Sequence, residues 1–332
     1  MEKSEAIWAV SDGRAGLANQ VLGLAEAVAR LSPRPVTVKT ADFTPAWRWL
    51  PAPVLAGPMF RLPEAGLRLG SNTFNRPWPR VFIGCGKAAI ALSLYLEHAG
   101  AVTFRVQTQD PRVSPSKFDF VVPPLHDELA GANVFPILGS PNRVTPERLA
   151  EAASQFAPLY AHLPRPRAGV LIGGSAKGRR VTPAIADRLA DMLLGLTKSG
   201  VGLMITVSRR TGDENTQRLK ERLAGAPAVF WDGEGANPYL GILALADFLL
   251  VTEDSTNMAT EAAATGKPIY ILPLAGARAK HVRFHAELAR RGVARAFTGK
   301  LESFTYSPLD ETARAAAEIC RRAGLTAPSS PV

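Results

Sequence analysis

Short apolar runs alternate with stretches of helical period along nearly the whole chain. Strands buried on both faces and joined by crossover helices produce this pattern. In the first half the runs are Ile7–Val10, Val81–Ile83, Thr103–Gln107 and Val121–Val122. One helix is predicted from Leu17, with Val21, Leu24, Ala25 and Val28 on one face, and another through Ala89, Leu92 and Leu96. A helix from about Pro146 to His162 precedes Pro164-Arg165-Pro166-Arg167, a stiff, charged stretch that reads as a linker. The pattern then restarts with strand Gly169–Ile172, helix Pro183–Thr197, strands Leu203–Val207 and Val229–Trp231, and helix Leu240–Ala246. Strand Phe248–Val251 follows, then a helix capped by Ser255 or Thr256 that runs to about Thr265 and is closed by Gly266. Pro268 leads into strand Ile269–Leu272, another helix starts at Ala275–His281, and the last covers about Pro308–Arg322. The expectation is an α/β protein of two Rossmann-like domains, 1–163 and 168–308, facing across a cleft and joined by linker 164–167. Residues 309–332 form a C-terminal helix and tail.

Ligands of open α/β sheets bind at the carboxyl ends of the strands, so the polar residues placed there carry the candidate chemistry. After the strand at 248–251 come Glu253, Asp254 and Ser255, with Asn257 and Glu261 four apart on one helix face. The amides of that helix's first turn favour an anion such as phosphate, and Glu261 is placed to accept from sugar hydroxyls. Gly173-Gly174-Ser175, followed by Lys177, Arg179 and Arg180, is a turn able to hold a diphosphate. Ser208-Arg209-Arg210-Thr211 offers planar donors to phosphate oxygens, or else two solvated arginines. Lys280 or His281 neutralises a leaving diphosphate, or simply begins a solvated basic helix.

In the first half, the turn Ser11–Gly16 carries Asp12 and Arg14, with Gly13 and Gly16 permitting close approach of a ligand. Gly84-Cys85-Gly86-Lys87 is a second glycine turn, in which Cys85 reads as a small turn residue. Gln107, Gln109, Asp110 and Arg112 project from a third strand end. His126-Asp127 is either a base with its partner or a loop ion pair. The chain lacks the Walker signature, the Gly-x-Gly-x-x-Gly fingerprint, the Gly-x-Ser-x-Gly elbow and any Asp-x-Asp. Those absences argue against a P-loop NTPase, an NAD-dependent dehydrogenase and a serine hydrolase.

Composition refines this picture. The 332 residues suffice for two domains with sizeable cores, and 46% apolar with 20% charged residues is ordinary for a globular protein. The formal net charge of +10 suits an anionic partner, or else reflects arginine-rich composition. Cys85 and Cys320 make no zinc or disulfide framework, consistent with a reducing compartment. The N-terminus leaves no room for a signal peptide, and no run approaches the length of a membrane span. The expected location is cytoplasmic, peripheral on the inner membrane if the basic charge is used there. Residues 43–80 interleave Trp47, Trp49, Met59, Phe60 and Trp78 with Arg48, Arg61, Arg68, Arg76 and Arg80. This is either a docking surface for a lipid-linked or membrane-proximal acceptor or a long loop packed over the sheet. No nucleic acid partner is expected.

Asp254-Ser255, Met258, Glu261-Ala262 and Gly266-Lys267-Pro268 resemble the nucleotide-sugar site of GT-B glycosyltransferases. The wider chain is similar to the bacterial and plant ELM1-like (DUF1022) family, also labelled mitochondrial fission proteins. The similarity rests on Ser11-Asp12-Gly13-Arg14-Ala15-Gly16 with Asn19-Gln20, Gln107–Arg112, Gly173-Gly174-Ser175 and Ser208–Thr211. The resemblance implies a GT-B fold and metal-independent transfer from a nucleoside-diphosphate sugar, with no cofactor, to an envelope or lipid-linked acceptor. The donor contacts would be Gly173, Gly174, Ser175, Lys177, Ser208, Arg209, Arg210, Asp254, Ser255, Asn257, Met258 and Glu261. It places Gly13, Arg14, Gln109 and Asp110 on the acceptor side, with Asp12 or the His126-Asp127 pair as catalytic base. Trp231 or Tyr239 would line the base pocket, and the last helix would return to the first domain. The fission label implies the alternative, a non-catalytic nucleotide-sensing or protein-recruiting role.

Overall fold

The computed structural model describes residues 4–45, 49–50, 54, 67–68, 76–174, 181–231, 233–274 and 279–325. Two compact units divide the chain, one of residues 1–143 with 310–332 and one of residues 144–309.

The first unit opens with β1 (Ile7–Ser11), α1 (Ala15–Leu31) and β2 (Val36–Thr40), followed by a short antiparallel pair, β3 (Asp42–Phe43) and β4 (Leu67–Arg68). It continues through β5 (Val81–Gly84), α2 (Lys87–His98), β6 (Phe104–Thr108) and β7 (Phe120–Val122). Its sheet is parallel, in the order β2-β1-β5-β6-β7. β1 and β5 are buried at every position, as their unbroken apolar runs require. β2 escapes the apolar-run pattern because it is an edge strand, exposed at Lys39's neighbours Val38 and Thr40. Val21, Leu24 and Val28 of α1 pack on one face of the sheet, and Ala89 and Leu92 of α2 on the other.

The second unit runs α3 (Pro146–Tyr160), β8 (Arg167–Ile172), α4 (Pro183–Lys198), β9 (Gly202–Val207), α5 (Asp213–Arg222) and β10 (Ala228–Trp231). It then adds α6 (Tyr239–Leu245), β11 (Phe248–Thr252), α7 (Thr256–Ala263), β12 (Ile269–Leu272), α8 (Ala279–Arg290) and β13 (Ala294–Ala296). Its six strands are all parallel, in the order β10-β9-β8-β11-β12-β13. Threonine or serine caps start three of its helices. Thr145, Thr182 and Ser255 accept from the amides of Arg148, Ile185 and Met258.

One boundary differs from the sequence reading. The first unit ends at Arg143, not within 164–167, because α3 packs on α6 of the second unit. Gly241 of α6 makes room for it, since a Cβ there would stand 2.7 Å from the Phe156 side chain. Nor is 164–167 a free tether: Arg165 pairs with Asp247 at 2.8 Å, and Arg167 is the buried first residue of β8. At the other end, α9 (Glu311–Arg322) lies on α1, with Ala315, Ala316 and Ile319 inside the first unit's core.

Candidate functional site

In the second unit the chain leaves β8 outward through β9 and β10, then crosses to β11 on the other side of β8. The switch point therefore lies between β8 and β11, where Gly173-Gly174 meets Asp254, with Ser208–Thr211 alongside. These three strand ends are knitted together. The Gly173 amide donates to Thr252 Oγ1 at 2.7 Å, and the Gly173 carbonyl accepts from Thr211 Oγ1 at 2.6 Å. The Gly174 amide donates to Asp254 Oδ2 at 2.9 Å, and Thr252 Oγ1 donates to Asp254 Oδ1 at 2.7 Å. Sterics explain the two glycines. A Cβ at Gly173 would lie 2.3 Å from an Asp254 oxygen, and one at Gly174 would lie 2.1 Å from the Arg210 carbonyl carbon.

This knot corrects the expected phosphate cradle. The amides of Gly173 and Gly174 are already engaged by Thr252 and Asp254, and both Asp254 oxygens are committed inside the protein. Asp254 is thus a buried tie between loops, with Arg210 3.8 Å away. Thr211 and Thr252 complete the tie. Sequence patterning passed over them because a threonine at a strand end carries no signal of its own.

Among the described residues the exposed cations of the site are Arg209 and Arg210, in a turn whose Ser208 Oγ accepts from the Arg210 amide at 3.2 Å. Ser255 caps α7 through the Met258 amide at 3.3 Å, while Asn257 and Met258 are half-buried on its first turn. Ser175 and Lys177 lie outside the described residues. Glu261, on the sixth position of α7, accepts a hydrogen bond at Oε2 from the Tyr239 phenol. Burial pushes the Glu261 carboxyl up to about 7, against a smaller lowering by Tyr239. Burial first, and then Glu261 itself, drive the Tyr239 phenol well above its ordinary value. Of the two residues expected to line the base pocket, Tyr239 is bonded to Glu261 and Trp231 Nε1 donates to the Glu234 carbonyl at 2.8 Å.

Lys267 and His285 have structural roles. Lys267 donates to the carbonyls of Ala244 and Ala246, the latter at 2.6 Å, closing the C-terminal end of α6. Desolvation lowers its ammonium to about 8. His285 of α8 meets the Glu253 carbonyl at 2.8 Å. His281 is buried and Lys280 half-buried at the start of the same helix.

At the first unit's sheet edge, Asp12 is held by Arg14, whose amide, Nε and Nη2 reach it at 3.1, 2.7 and 2.6 Å. Gly13 takes a positive φ of 83° in this turn. Gln109, at φ 65°, is fixed by Nε2 donating to the buried Gln20 Oε1 at 2.9 Å. A non-glycine residue in that region is strained and is found at binding sites more often than elsewhere. Asp110 folds back on Arg112, accepting from its amide at 2.8 Å. Cys85 is fully buried and its thiol is pushed up to about 12 by desolvation, in keeping with a turn residue and not a nucleophile.

The candidate bases are not brought together. Asp12 follows β1, and His126-Asp127 follows β7, three strands away in the order β1-β5-β6-β7. At about 4.8 Å per strand that is roughly 14 Å. His126 is buried, and its Nε2 stands 3.9 Å from Asp127 Oδ1, too far for a hydrogen bond.

Part of the aromatic-basic stretch also reads differently. Trp78 is packed edge-on between Trp8 and Tyr95, and Arg80 donates to the Ala323 carbonyl at 2.8 Å, so both belong to the fold. Trp49 is 89% exposed. Trp47, Arg48, Met59, Phe60 and Arg61 lie outside the described residues. Among the described residues no helix is long and apolar enough to cross a membrane, and no group of three His, Cys, Asp or Glu is placed to hold a metal ion.

The family profile described as Mitochondrial fission ELM1 matches residues 15–323. The Mitochondrial fission protein ELM1 of Arabidopsis thaliana is 31% identical over 283 residues, 77% of this chain and 66% of that one. The present chain thus spans just under two thirds of its length. Among solved structures, the UDP-GlcNAc 2-epimerase of Neisseria meningitidis, bound to UDP-GlcNAc, aligns with a TM-score of 0.52 at 11% identity, covering 96% of this chain and 100% of that one. Spinosyn forosaminyltransferase SpnP aligns with a TM-score of 0.50 at 14% identity, covering 97% and 95%. At such identities the likeness is one of fold, and the fold is GT-B: two parallel α/β units with Rossmann-like topology.

Proposed function

The chain belongs to the mitochondrial fission ELM1 family, and from that premise we propose that it binds a nucleoside-diphosphate sugar on its second unit and transfers the sugar to a hydroxyl acceptor. The observation that carries this reading is the switch point, where exposed Arg210 stands 3.8 Å from Asp254, just ahead of α7, beside exposed Arg209, and Glu261 lies in the second turn of that helix. Arg209 and Arg210 supply planar donors for the leaving diphosphate, supported by the α7 N-terminus and by Lys177. Glu261 accepts from the hydroxyls of the nucleotide's sugar. Charge developing on the departing diphosphate is met by these fixed cations, and no metal is needed in the scheme.

For the acceptor side the reading uses the first unit's edge: Gly13 and Arg14 beside Asp12, and Gln109 with Asp110. Asp12 serves as the base once the acceptor displaces Arg14 from its carboxylate, and it is preferred to His126 because His126 is buried. An envelope or lipid-linked acceptor suits the +10 charge of the chain. The name of the Arabidopsis relative favours a second reading, in which the same site senses a nucleotide and recruits proteins without catalysis.

A thermal-shift panel of UDP, GDP, ADP, CMP and NAD tests the binding step. Stabilisation by one nucleoside diphosphate, lost in Glu261→Ala, supports the proposal, and silence across the panel sinks it. Incubation with the matching nucleotide sugar then separates the chemistries. Release of the nucleoside diphosphate with an acceptor present marks transfer, an altered sugar still attached marks epimerisation, and an unchanged donor marks the sensing role.

A further inference from the structure

Glu261 and Tyr239 come from different helices, 22 residues apart in sequence, and meet through a single hydrogen bond. Tyr239 is the first residue of α6, preceded by Pro238, and its amide donates to Asn237 Oδ1 at 3.0 Å. The phenol thus reaches the α7 face from a rigid stem. It takes up Oε2 of Glu261, while Oε1 has no hydrogen-bond partner among the described residues.

We propose that Tyr239 is a positioning residue of the nucleotide-sugar site: its phenol holds the Glu261 carboxylate by one oxygen so that the other faces a ligand as a hydrogen-bond acceptor for a vicinal diol, the ribose of a nucleotide. This rests on the donor-binding reading given above and adds to it a residue and a regulation. A carboxylate accepts at both oxygens, whereas a protonated carboxyl turns one of them into a donor. With Oε2 tied to Tyr239, protonation at Oε1 removes the acceptor offered to the diol.

Burial holds the carboxyl near neutrality, at about 7, so the exchange between the two forms falls in the physiological range. The electrostatic surroundings are simple. Among the described residues, Tyr239 is the titratable group acting on Glu261, and Glu261 the one acting on Tyr239. Around α7, Asp254 is committed to Gly174 and Thr252 on the β11 side, and His285 to the Glu253 carbonyl. Lys267, ahead of β12, is committed to the α6 carbonyls. Because the Tyr239 hydrogen bond favours the ionised form, removing the phenol moves the Glu261 midpoint upward.

The test is calorimetric binding of UDP, GDP, ADP and CDP, with the 2′-deoxy analogue of whichever binds, between pH 6 and pH 9. Wild type, Tyr239→Phe and Glu261→Gln are compared. Wild-type affinity rises with pH through neutrality. Tyr239→Phe binds roughly five-fold more weakly at pH 7 for each unit its midpoint rises, and regains wild-type affinity by pH 9. Glu261→Gln binds weakly throughout and no longer distinguishes the 2′-deoxy analogue. Its profile also supplies the correction for titration of the nucleotide's own phosphate. Carbon-detected NMR titration of the Glu261 carboxyl reports the midpoint without ligand. A nucleotide that binds wild type and Tyr239→Phe with the same pH profile, or a midpoint unmoved by Tyr239→Phe, overturns the positioning role while leaving donor binding intact. If no nucleotide binds wild type at any pH, the donor reading falls and this role with it.

Discussion

Replacing Glu261 by glutamine keeps the size of the side chain and an oxygen for Tyr239, but removes the charge. The consequence for stability can be worked out from the carboxyl's position. Its ordinary value of 4.5 rises to about 7 in the folded protein, with burial as the main cause. The native state therefore holds a proton that the unfolded chain releases between those two values. Wild-type stability falls as pH rises through this window, and the full cost is in place above the folded value. At about 1.36 kcal/mol per unit, the ionised carboxylate costs about 1 kcal/mol at pH 5 and about 3 kcal/mol at pH 8. Glu261→Gln escapes that cost. Relative to wild type, the variant should gain about 2 kcal/mol between pH 5 and pH 8, or roughly 4–8 °C in Tm for a domain of this size. The assay is a paired melt of both proteins at half-unit steps of pH, taking the difference so that all other titrations cancel. A difference that stays flat from pH 5 to pH 8 refutes the buried, proton-holding carboxyl, whatever its sign.

Other expectations are simpler. Gly174→Ala forces a Cβ to within 2.1 Å of the Arg210 backbone and should destabilise the second unit by at least about 2 kcal/mol, read as a lowered Tm; an unchanged Tm contradicts the packing described. Asp254→Ala leaves the Gly174 amide without its acceptor and should cost about 3 kcal/mol by chemical denaturation. Arg209→Ala combined with Arg210→Ala should abolish nucleoside-diphosphate binding while moving Tm by less than about 1 °C, since both side chains are exposed. In native protein an aromatic disulfide reagent should titrate Cys320, which is half-buried, and leave Cys85, which is 0% exposed, until denaturant is added.

The sheets were legible because their strands are buried on both faces, leaving uninterrupted apolar runs such as Phe248–Val251 and Gly169–Ile172. Two of the four edge strands were not: β2 and β13 are half-exposed and mix polar with apolar positions, unlike the apolar edges β7 and β10. Local signals also located Gly173-Gly174 and Ser208–Thr211 at strand ends, but they misassigned what the glycines do. A glycine pair before a cationic stretch looks like a phosphate loop. Only the packing of three strand ends shows that the amides answer to Thr252 and Asp254. Tyr239 and Glu261 meet through tertiary packing, and no spacing rule links positions 22 apart on different helices. Pro164–Arg167 misled for a related reason. Its charges suggest solvent, yet Asp247 and the carbonyls of Ala161 and Leu163 take them up.

The helix Glu311–Arg322 puts the last turns of the chain into the core built by the first. For synthesis on the ribosome this reverses the usual order. The second unit is continuous from 144 to 309 and is complete as soon as it emerges, whereas the first, though begun earlier, lacks Ala315, Ala316 and Ile319 until the second has been made. At about 5–20 residues per second the gap between residues 143 and 325 is roughly 10–35 s. Throughout that interval the α1 face lacks the helix that covers it. A stop ahead of Glu311 would therefore leave the second unit whole and the first without part of its core.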